Sequence, residues 1–215
     1  MKDIAIYGAG GLGKEIASLI EFINREGGGE WNLIGYFDDG KEKGSMISRF
    51  GPVLGGMDEL NQWDHPLGIA IAIGHPQTLR SVRQKITNEN ISFPNLYSPW
   101  LLYADKSSVT IGEGNIIQGT CWISNDATIG NFNIMNSEVV IGHDVKIGDY
   151  NILMPDTRLS GEVTLGEANL IGVGAIILQQ IHIGHDVVIG PGAVMMTKPK
   201  DGCTYIGNPA KRFRF

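Results

Sequence analysis

Two short stretches of the sequence pair a histidine with a neighbouring acid in the same local frame. Ile141-Gly142-His143-Asp144 and Ile183-Gly184-His185-Asp186 each place an imidazole directly before a carboxylate. Imidazole is the side chain best suited to removing a proton near neutral pH, and an adjacent carboxylate can fix its tautomer. The pattern therefore predicts a general base that activates an amine or hydroxyl nucleophile. Local sequence does not separate the two pairs.

A glycine-rich turn near the N-terminus is a second candidate for chemistry. An apolar strand, Lys2–Tyr7, leads into the turn, and apolar residues at helical spacing follow it. In such a strand, turn and helix, the N–H groups at the helix N-terminus can hold a phosphate. We expect Gly10, Gly11, Leu12 and Gly13 to contact a nucleotide. The alternative is a tight turn that serves only strand–helix packing.

Two further predicted strands end near this turn. The second strand of the chain ends at Asp38 and Asp39, the third ends at Gly74, and Arg80 follows early in the next predicted helix. The carboxyl ends of parallel strands meet at one sheet edge, where ligands bind and where an acid can contact a ribose hydroxyl. We therefore expect Asp38, Asp39, Gly74 and Arg80 to line a nucleotide site.

The second half of the chain repeats with a period of six residues. Fifteen aliphatic residues stand at every sixth position without interruption, from Ile111 to Met195. This period fits a solenoid of triangular coils with one hexad per side, in which the aliphatic side chains point inward. Five stacked coils then share one core. We expect the frequent Gly and Asn residues to occupy the corners, where a positive φ favours small side chains.

The spacing of the two His–acid pairs places them at different points of this solenoid. They lie seven hexads apart, which is two coils plus one face. His185 is therefore not expected directly above His143.

Length and composition narrow the class of protein. The 215 residues have room for one solenoid and one small additional domain, and a formal charge of −6 offers no basic patch for nucleic acid. Small-molecule or protein partners are expected. The two cysteines form neither a disulfide framework nor a zinc pattern, and the N-terminus predicts neither a secretory signal nor membrane insertion. We expect a cytoplasmic protein.

These features together resemble a known family. The hexad repeat is similar to the left-handed β-helix of the hexapeptide-repeat acyltransferases, and its handedness is inferred from that resemblance. The whole chain resembles the sugar acetyltransferases that include sialic acid O-acetyltransferases and nucleotide-linked amino-sugar N-acetyltransferases. The motifs that carry this resemblance are Ile4–Gly11, Phe37–Asp39, Ala72–Gly74 and Gly207–Lys211.

The resemblance implies a two-domain fold. An α/β half-Rossmann βαβ domain, residues 1–97, is expected to bind a nucleotide sugar. An all-β left-handed parallel β-helix, residues 98–215, is expected to carry acetyl transfer. Members often have histidine where this chain has Leu12, and some have a second histidine where it has Ile152.

The implied reaction moves an acetyl group from acetyl-CoA to the amino group of a nucleotide-activated sugar, and the alternative is O-acetylation of a sialic acid or similar sugar. His143 is then the general base and Asp144 its supporting acid. No metal is expected. An uninterrupted prism without a lid loop cannot enclose a substrate alone, so a homotrimer is expected. The residues expected to hold acetyl-CoA are Gly161, Val173, Gly174, Pro191, Gly192 and Lys198.

Three other classes of protein fit the sequence less well. About a hundred residues are too few for the full dinucleotide fold of a nicotinamide dehydrogenase together with a catalytic domain. A metal-dependent solenoid enzyme needs three histidines per site, and His143, His182 and His185 lack partners in register. A non-catalytic solenoid would need neither Asp38 nor a His–acid pair.

Overall fold

The computed structural model describes residues 1–214, which form two compact units. The first comprises Met1–Gly74 and Thr78–Pro99, and the second comprises His75–Gln77 and the chain from Trp100 onward. Phe215, the last residue of the predicted second domain, lies outside the described residues. Within residues 1–214, no helix combines the length and the apolar character needed to cross a bilayer.

The first unit is built on a parallel β-sheet of five strands in the order β3-β2-β1-β4-β5. The elements in chain order are β1 (Lys2–Tyr7), α1 (Gly11–Gly27), β2 (Trp31–Phe37), β3 (Val53–Gly55), α2 (Met57–Asn61), β4 (Leu67–Ile71), α3 (Pro76–Lys85), β5 (Ile91–Ser92) and β6 (Leu96–Tyr97).

Apolar periodicity explains the centre of this sheet. Ile4 and Ile6 of β1 are fully buried, and α1 buries one face through Ile16 and Ile20. The helix ends at Gly28, whose φ of 84° is a left-handed conformation that glycine adopts without strain. The expected Rossmann-like arrangement is confirmed. The sheet also has the edge strands β3 and β5, which are too short at three and two residues to leave a periodic signal.

The second unit is a solenoid with three parallel faces. Face 1 consists of β7 (Leu102–Tyr103), β10 (Trp122–Ile123), β13 (Val140–Ile141), β16 (Arg158–Leu159), β19 (Ile176–Ile177) and β22 (Val194–Met195). Face 2 consists of β8 (Thr110–Ile111), β11 (Thr128–Ile129), β14 (Lys146–Ile147), β17 (Thr164–Leu165) and β20 (His182–Ile183). Face 3 contains β9 (Ile116–Ile117), β12 (Ile134–Met135), β15 (Ile152–Leu153), β18 (Leu170–Ile171), β21 (Val188–Ile189), β23 (Thr204–Ile206) and the antiparallel β24 (Lys211–Phe213). A 3-10 helix spans Lys106–Ser108.

The register of the coils confirms the predicted repeat. Each strand pairs with the strand eighteen residues further on, as Ile129 does with Ile147, and β8 to β22 make up five coils. The predicted inward aliphatic residues are buried from Ile117 to Met195, and Ile111 in the first coil is half-buried. The predicted fold class, a Rossmann-like domain followed by a left-handed β-helix, is therefore confirmed.

The asparagines do not occupy the left-handed corner positions, and that expectation is wrong. Asn115, Asn133, Asn151 and Asn169 are fully buried and stack in successive coils. The Nδ2 of each of the last three donates to the Oδ1 of the asparagine one coil before, at 3.1, 3.1 and 2.9 Å. The same Oδ1 atoms also accept backbone N–H groups. Inward-facing amide groups are therefore satisfied along one column of the core.

The glycines that follow the inward aliphatic residues also have a different role from the one expected. Their φ values are ordinary, and the left-handed positions three residues after each inward aliphatic are held mostly by other residue types, such as Glu138 and Asp156. A Cβ on Gly148 would lie 2.7 Å from the carbonyl oxygen of Gly166, and one on Gly172 would lie 2.7 Å from Pro191 N. The neighbouring coil therefore requires glycine there because its backbone approaches so closely.

The asparagine column predicts a large stability cost for Asn151→Val. The backbone N–H of Asn169 and the carbonyl of Gly166 both lose a partner inside the core, and each buried unsatisfied group costs about 1–3 kcal/mol. We expect the free energy of unfolding to fall by about 2–4 kcal/mol, measured by chemical denaturation. Thr128→Val, on the exposed side of β11, is the control. Equal stability of the two variants would contradict the role given to the column.

Candidate active site

His143 and Asp144 lie at the corner where the chain passes from face 1 to face 2. Asp144 has a left-handed φ of 58°, and both side chains are more than half exposed. Nδ1 of His143 lies 2.8 Å from Oδ2 of Asp144. Because a carboxylate only accepts hydrogen bonds, Nδ1 carries the hydrogen and Nε2 keeps its lone pair. The imidazole is thus held in the tautomer that a general base requires.

Gly161 lies next to this imidazole in the following coil. A Cβ on Gly161 would come within 2.4 Å of Nε2 and 2.6 Å of Cε1 of His143. The missing side chain therefore leaves room for the ring beside Nε2. The structure thus brings together His143, Asp144 and one residue predicted to bind acetyl-CoA.

The second His–acid pair lies at a different corner, and its imidazole has a different hydrogen-bond partner. His185 stands between faces 2 and 3, where its Nδ1 accepts the backbone N–H of Glu167 at 3.1 Å. Its hydrogen must then be on Nε2, so this ring presents a donor where His143 presents a lone pair. The two pairs, which the sequence could not separate, are distinguished by their hydrogen-bond partners.

An open groove of about 420 Å³ begins at the His143 corner and extends over face 2. It is lined by Asp144, Lys146, Glu162, Thr164 and His182. Lys146, Thr164 and His182 project outward from paired strands, one per coil. All of these residues except Asp144 lie outside the sequence motifs. Their spacing of eighteen residues was visible, but the same spacing recurs on every face.

The residues predicted to bind acetyl-CoA lie at three places on the chain. Val173, Gly174, Pro191 and Gly192 lie together at the corner between faces 3 and 1, where the N–H of Gly192 donates to the carbonyl of Val173 at 2.8 Å. Gly161 lies at the opposite edge of face 1, and Lys198 is exposed after the last coil. One chain therefore does not bring the six predicted residues together.

Room for a ligand exists at the corner between faces 3 and 1. Gly174 and Gly192 have φ values of 64° and 62°, and no described atom lies within 4 Å of a Cβ built on either. The same left-handed position at this corner holds Glu138 and Asp156 in earlier coils. Glycine at these two points leaves the backbone accessible to a bound molecule.

The outer surface of face 1 is mostly apolar. Leu102 is 54% and Trp122 is 40% exposed, and Val140, Ile176 and Val194 continue the same column half-buried. Arg158 interrupts the column and pairs with Asp156 at 2.9 Å. An exposed, mostly apolar surface of this kind is typical of a protein–protein interface.

In the first unit, the glycine-rich turn divides into two parts. A Cβ on Gly13 would lie 2.0 Å from the carbonyl oxygen of Gly8, so Gly13 is required by packing. No described atom lies within 4 Å of a Cβ at Gly10 or Gly11, and both are exposed. A Cβ on Gly74 would meet only Leu12, at 3.9 Å. The surface at Gly10, Gly11 and Gly74 is therefore accessible.

The two acids at the end of β2 are both held by hydrogen bonds. Asp38 accepts the N–H groups of Ala9 and Gly40 at 2.7 and 2.8 Å. Asp39 accepts the Tyr7 hydroxyl at 2.5 Å and the N–H of Met57, at the start of α2, at 2.7 Å. The Tyr7 hydroxyl, with the Met57 N–H, lowers the pKa of Asp39. Both carboxylates are therefore fixed at this edge by hydrogen bonds.

Three paired strands end at this edge of the sheet. Tyr7, Phe37 and Ile71, the last residues of β1, β2 and β4, are aligned in register. Asp38, Asp39 and Gly74 follow these strands closely, as the sequence predicted, and Arg80 lies half-buried on α3. The edge has the glycines and acids that the prediction of a nucleotide site requires.

Comparison with known proteins connects both units to sugar chemistry. Residues 3–88 match the model of the PglD N-terminal domain family. No curated protein sequence is significantly similar to the chain. A histidine-to-asparagine variant of perosamine N-acetyltransferase from Caulobacter crescentus, solved with CoA and GDP-perosamine, is 26% identical, with a TM-score of 0.86 over 100% of this chain and 98% of that one.

Two further solved structures agree with this result. The acetyltransferase domain of PglB from Neisseria gonorrhoeae, in complex with acetyl coenzyme A, is 28% identical, with 99% of each chain covered and a TM-score of 0.86. WeeI from Acinetobacter baumannii is 25% identical over 99% of this chain and 100% of that one, with a TM-score of 0.87. The chain resembles the hexapeptide-repeat sugar acetyltransferases over its whole length. The resemblance predicted from the sequence motifs is confirmed.

The cysteines of this chain are poorly suited to carry an acetyl group as a thioester. Cys121 and Cys203 are both buried and unpaired. Burial raises the pKa of the Cys121 thiol to about 11, so little thiolate forms near neutral pH. This favours direct attack by the acceptor on the thioester.

The close contact between Gly161 and the imidazole predicts that Gly161→Ala lowers activity without unfolding the protein. The φ of Gly161 is ordinary, so alanine fits the backbone, but its methyl group overlaps the ring of His143 and must displace it. We expect kcat to fall by about 10–100-fold, since a misplacement of about 1 Å can cost 10² in rate.

The thermal midpoint Tm should remain near that of the wild type. Ser137→Ala, at an exposed corner position between faces 3 and 1, is the control. An unchanged kcat in Gly161→Ala would show that the position of the ring does not limit the reaction.

Proposed function

We propose that the protein transfers an acetyl group from acetyl-CoA to the amino group of a nucleotide-activated amino sugar, with His143 as the general base. The hydrogen bond from Nδ1 of His143 to Asp144 is the observation that carries the proposal, because it leaves Nε2 available as the base. The likeness to perosamine N-acetyltransferase, solved with CoA and GDP-perosamine, supports the choice of donor and acceptor.

The reaction proceeds by direct attack. The acceptor nitrogen adds to the thioester carbon while Nε2 of His143 takes a proton from the nitrogen. Collapse of the tetrahedral intermediate breaks the C–S bond, and the imidazolium returns the proton to the departing thiolate. Asp144 stabilises the imidazolium and preserves its orientation. The products are the N-acetylated sugar nucleotide and CoA.

The first unit is proposed to hold the nucleotide of the acceptor. Gly10 and Gly11 expose backbone N–H groups at the start of α1, which attracts phosphate, and Asp38 and Asp39 provide fixed carboxylates for ribose hydroxyls. Leu12, Gly13, Gly74 and Arg80 complete the predicted set. The two unpaired cysteines support the predicted cytoplasmic location, where thiols remain reduced.

The acetyl-CoA site is proposed to form in a homotrimer. Gly161 and the group formed by Val173, Gly174, Pro191 and Gly192 lie on opposite edges of the apolar face 1. Packing of face 1 against neighbouring copies would bury its apolar side chains and bring the Gly161 edge of one subunit toward the glycine edge of the next. Lys198 is proposed to meet the phosphates of CoA. O-acetylation of a sugar hydroxyl is the alternative reaction.

The proposed function is tested by acetyl transfer to a panel of UDP-, GDP- and dTDP-linked amino sugars, followed through the release of free CoA thiol. His143→Ala should lower kcat by about 10²–10⁴-fold, the range for loss of a general base. The thermal midpoint and acetyl-CoA binding should stay near wild type, because the exposed side chain supports no core contact.

His185→Ala is the matched control, since it removes the same side chain from the same local frame and should change kcat only a few-fold. An inactive His185 variant beside an active His143 variant would overturn the assignment of the base. Absence of transfer to every amino sugar in the panel would overturn the reaction itself.

The apolar face predicts that Trp122→Lys dissociates the homotrimer. Trp122 is 40% exposed on face 1, and a lysine there would place a charge in the proposed interface. Thr128→Lys puts the same side chain on the polar face 2 of the neighbouring strand and is the control. Sedimentation at micromolar concentration should give a monomer only for Trp122→Lys, with acetyl transfer reduced. A wild-type monomer with full activity would refute the trimer.

A further inference from the structure

The groove on face 2 has a charge arrangement that the general-base mechanism does not use. Its edge at the corner carries two carboxylates, Asp144 and Glu162, in successive coils, and its floor carries Lys146, Thr164 and His182. Successive coils are separated by about 4.8 Å, the normal spacing of paired strands. Both carboxylates therefore lie along one edge of the groove, at the corner that also carries His143.

Glu162 is fixed relative to His143 by two sets of contacts. Its backbone N–H donates to the carbonyl oxygen of His143 at 2.8 Å. Its carboxylate accepts the side-chain amide of Gln180, in the following coil, with Nε2 at 3.2 and 3.3 Å from the two oxygens. Glu162 is also the residue directly after Gly161, which borders the imidazole. Its carboxylate is thus held at the same corner as the His143 imidazole, one coil later.

We propose that this groove is the subsite for the sugar ring of the acceptor, and that Glu162 binds the acceptor's amino group as an ammonium ion at the corner that carries His143. The inference rests on the proposed function and deepens it. The volume of the groove, about 420 Å³, falls within the range of about 300–1,000 Å³ for small-molecule sites. Lys146, Thr164 and His182 supply donors for ring hydroxyls.

The charge of the groove favours the amino sugar over the other substrate. Two carboxylates oppose one lysine, so the groove attracts a cationic amine and disfavours the phosphates of CoA. A sugar hydroxyl at the same position is uncharged and gains much less from the carboxylates. Glu162 is therefore a residue that selects an amine over a hydroxyl. The bound ammonium ion first releases one proton to solvent, and Nε2 of His143 takes a second proton as the resulting neutral nitrogen attacks the thioester.

The test compares Glu162→Gln with wild type on the amino-sugar nucleotide that reacts best in the panel. We expect KM for that acceptor to rise about tenfold, the loss expected when a hydrogen bond loses its charge. KM for acetyl-CoA should stay within about twofold, a change too small to reflect a lost hydrogen bond. Asp126→Asn is the control, because Asp126 stands one coil before Asp144 at the same corner with a left-handed φ of 56° but does not line the groove.

A binding measurement tests the same inference without turnover. Calorimetric titration compares the amino-sugar nucleotide with the matching nucleotide sugar that carries a hydroxyl in place of the amine. Wild type should prefer the amine, and the preference should disappear in Glu162→Gln while affinity for the hydroxyl compound stays constant. Equal losses for both compounds, or a raised KM for acetyl-CoA alone, would overturn the assignment of the groove.

The two proposals fail in different ways. If wild type acetylates an amino sugar and Glu162→Gln matches it in KM and in amine preference, the groove assignment is wrong and the reaction stands. If wild type acetylates no amino sugar, the reaction is wrong. The titration still decides whether the groove selects an amine.

Discussion

The vertical register between successive coils is the constraint on which the rest of the second unit depends. Each residue lies directly above its equivalent eighteen positions away, so a local requirement in one coil is imposed on the next. Gly142, Gly148 and Gly172 are needed because the adjacent backbone leaves no space for a Cβ. The side-chain amides of the asparagine column are hydrogen-bonded only if each asparagine stays aligned with the asparagine of the neighbouring coil. The same register places Gly161 beside the imidazole of His143.

This register also explains how a polar corner can carry chemistry on an apolar scaffold. At the corner between faces 1 and 2 the left-handed residues are exposed, and Asp144 uses that position to reach Nδ1 of its neighbour. Aspartate tolerates a left-handed φ better than most residues, so its carboxylate is placed there at low conformational cost. Glu162 repeats the position one coil later. Catalytic and binding groups can therefore be exchanged at the corners without disturbing the core.

Most of the fold was predictable from the sequence, because the hexad period and the strand, turn and helix pattern are repeated or contiguous signals. The six-residue spacing also determines which face each residue lies on, and it placed His143 and His185 at different corners. The roles of Asn115 and Gly148 were not predictable, since both residue types suit either a turn or a close contact. Only the distances to the neighbouring coil distinguish those cases.

The candidate site was predictable where it depends on adjacent residues and obscure where it depends on stacking. The pair His143 and Asp144 is adjacent in sequence, but the tautomers that separate it from His185 depend on partners outside the frame. Glu162 belongs to no sequence motif, because it comes close to His143 only when two coils are stacked. A residue placed in this way can differ between solenoids that share the His–acid pair, so the proposed acceptor has to be inferred from the corner and the groove together.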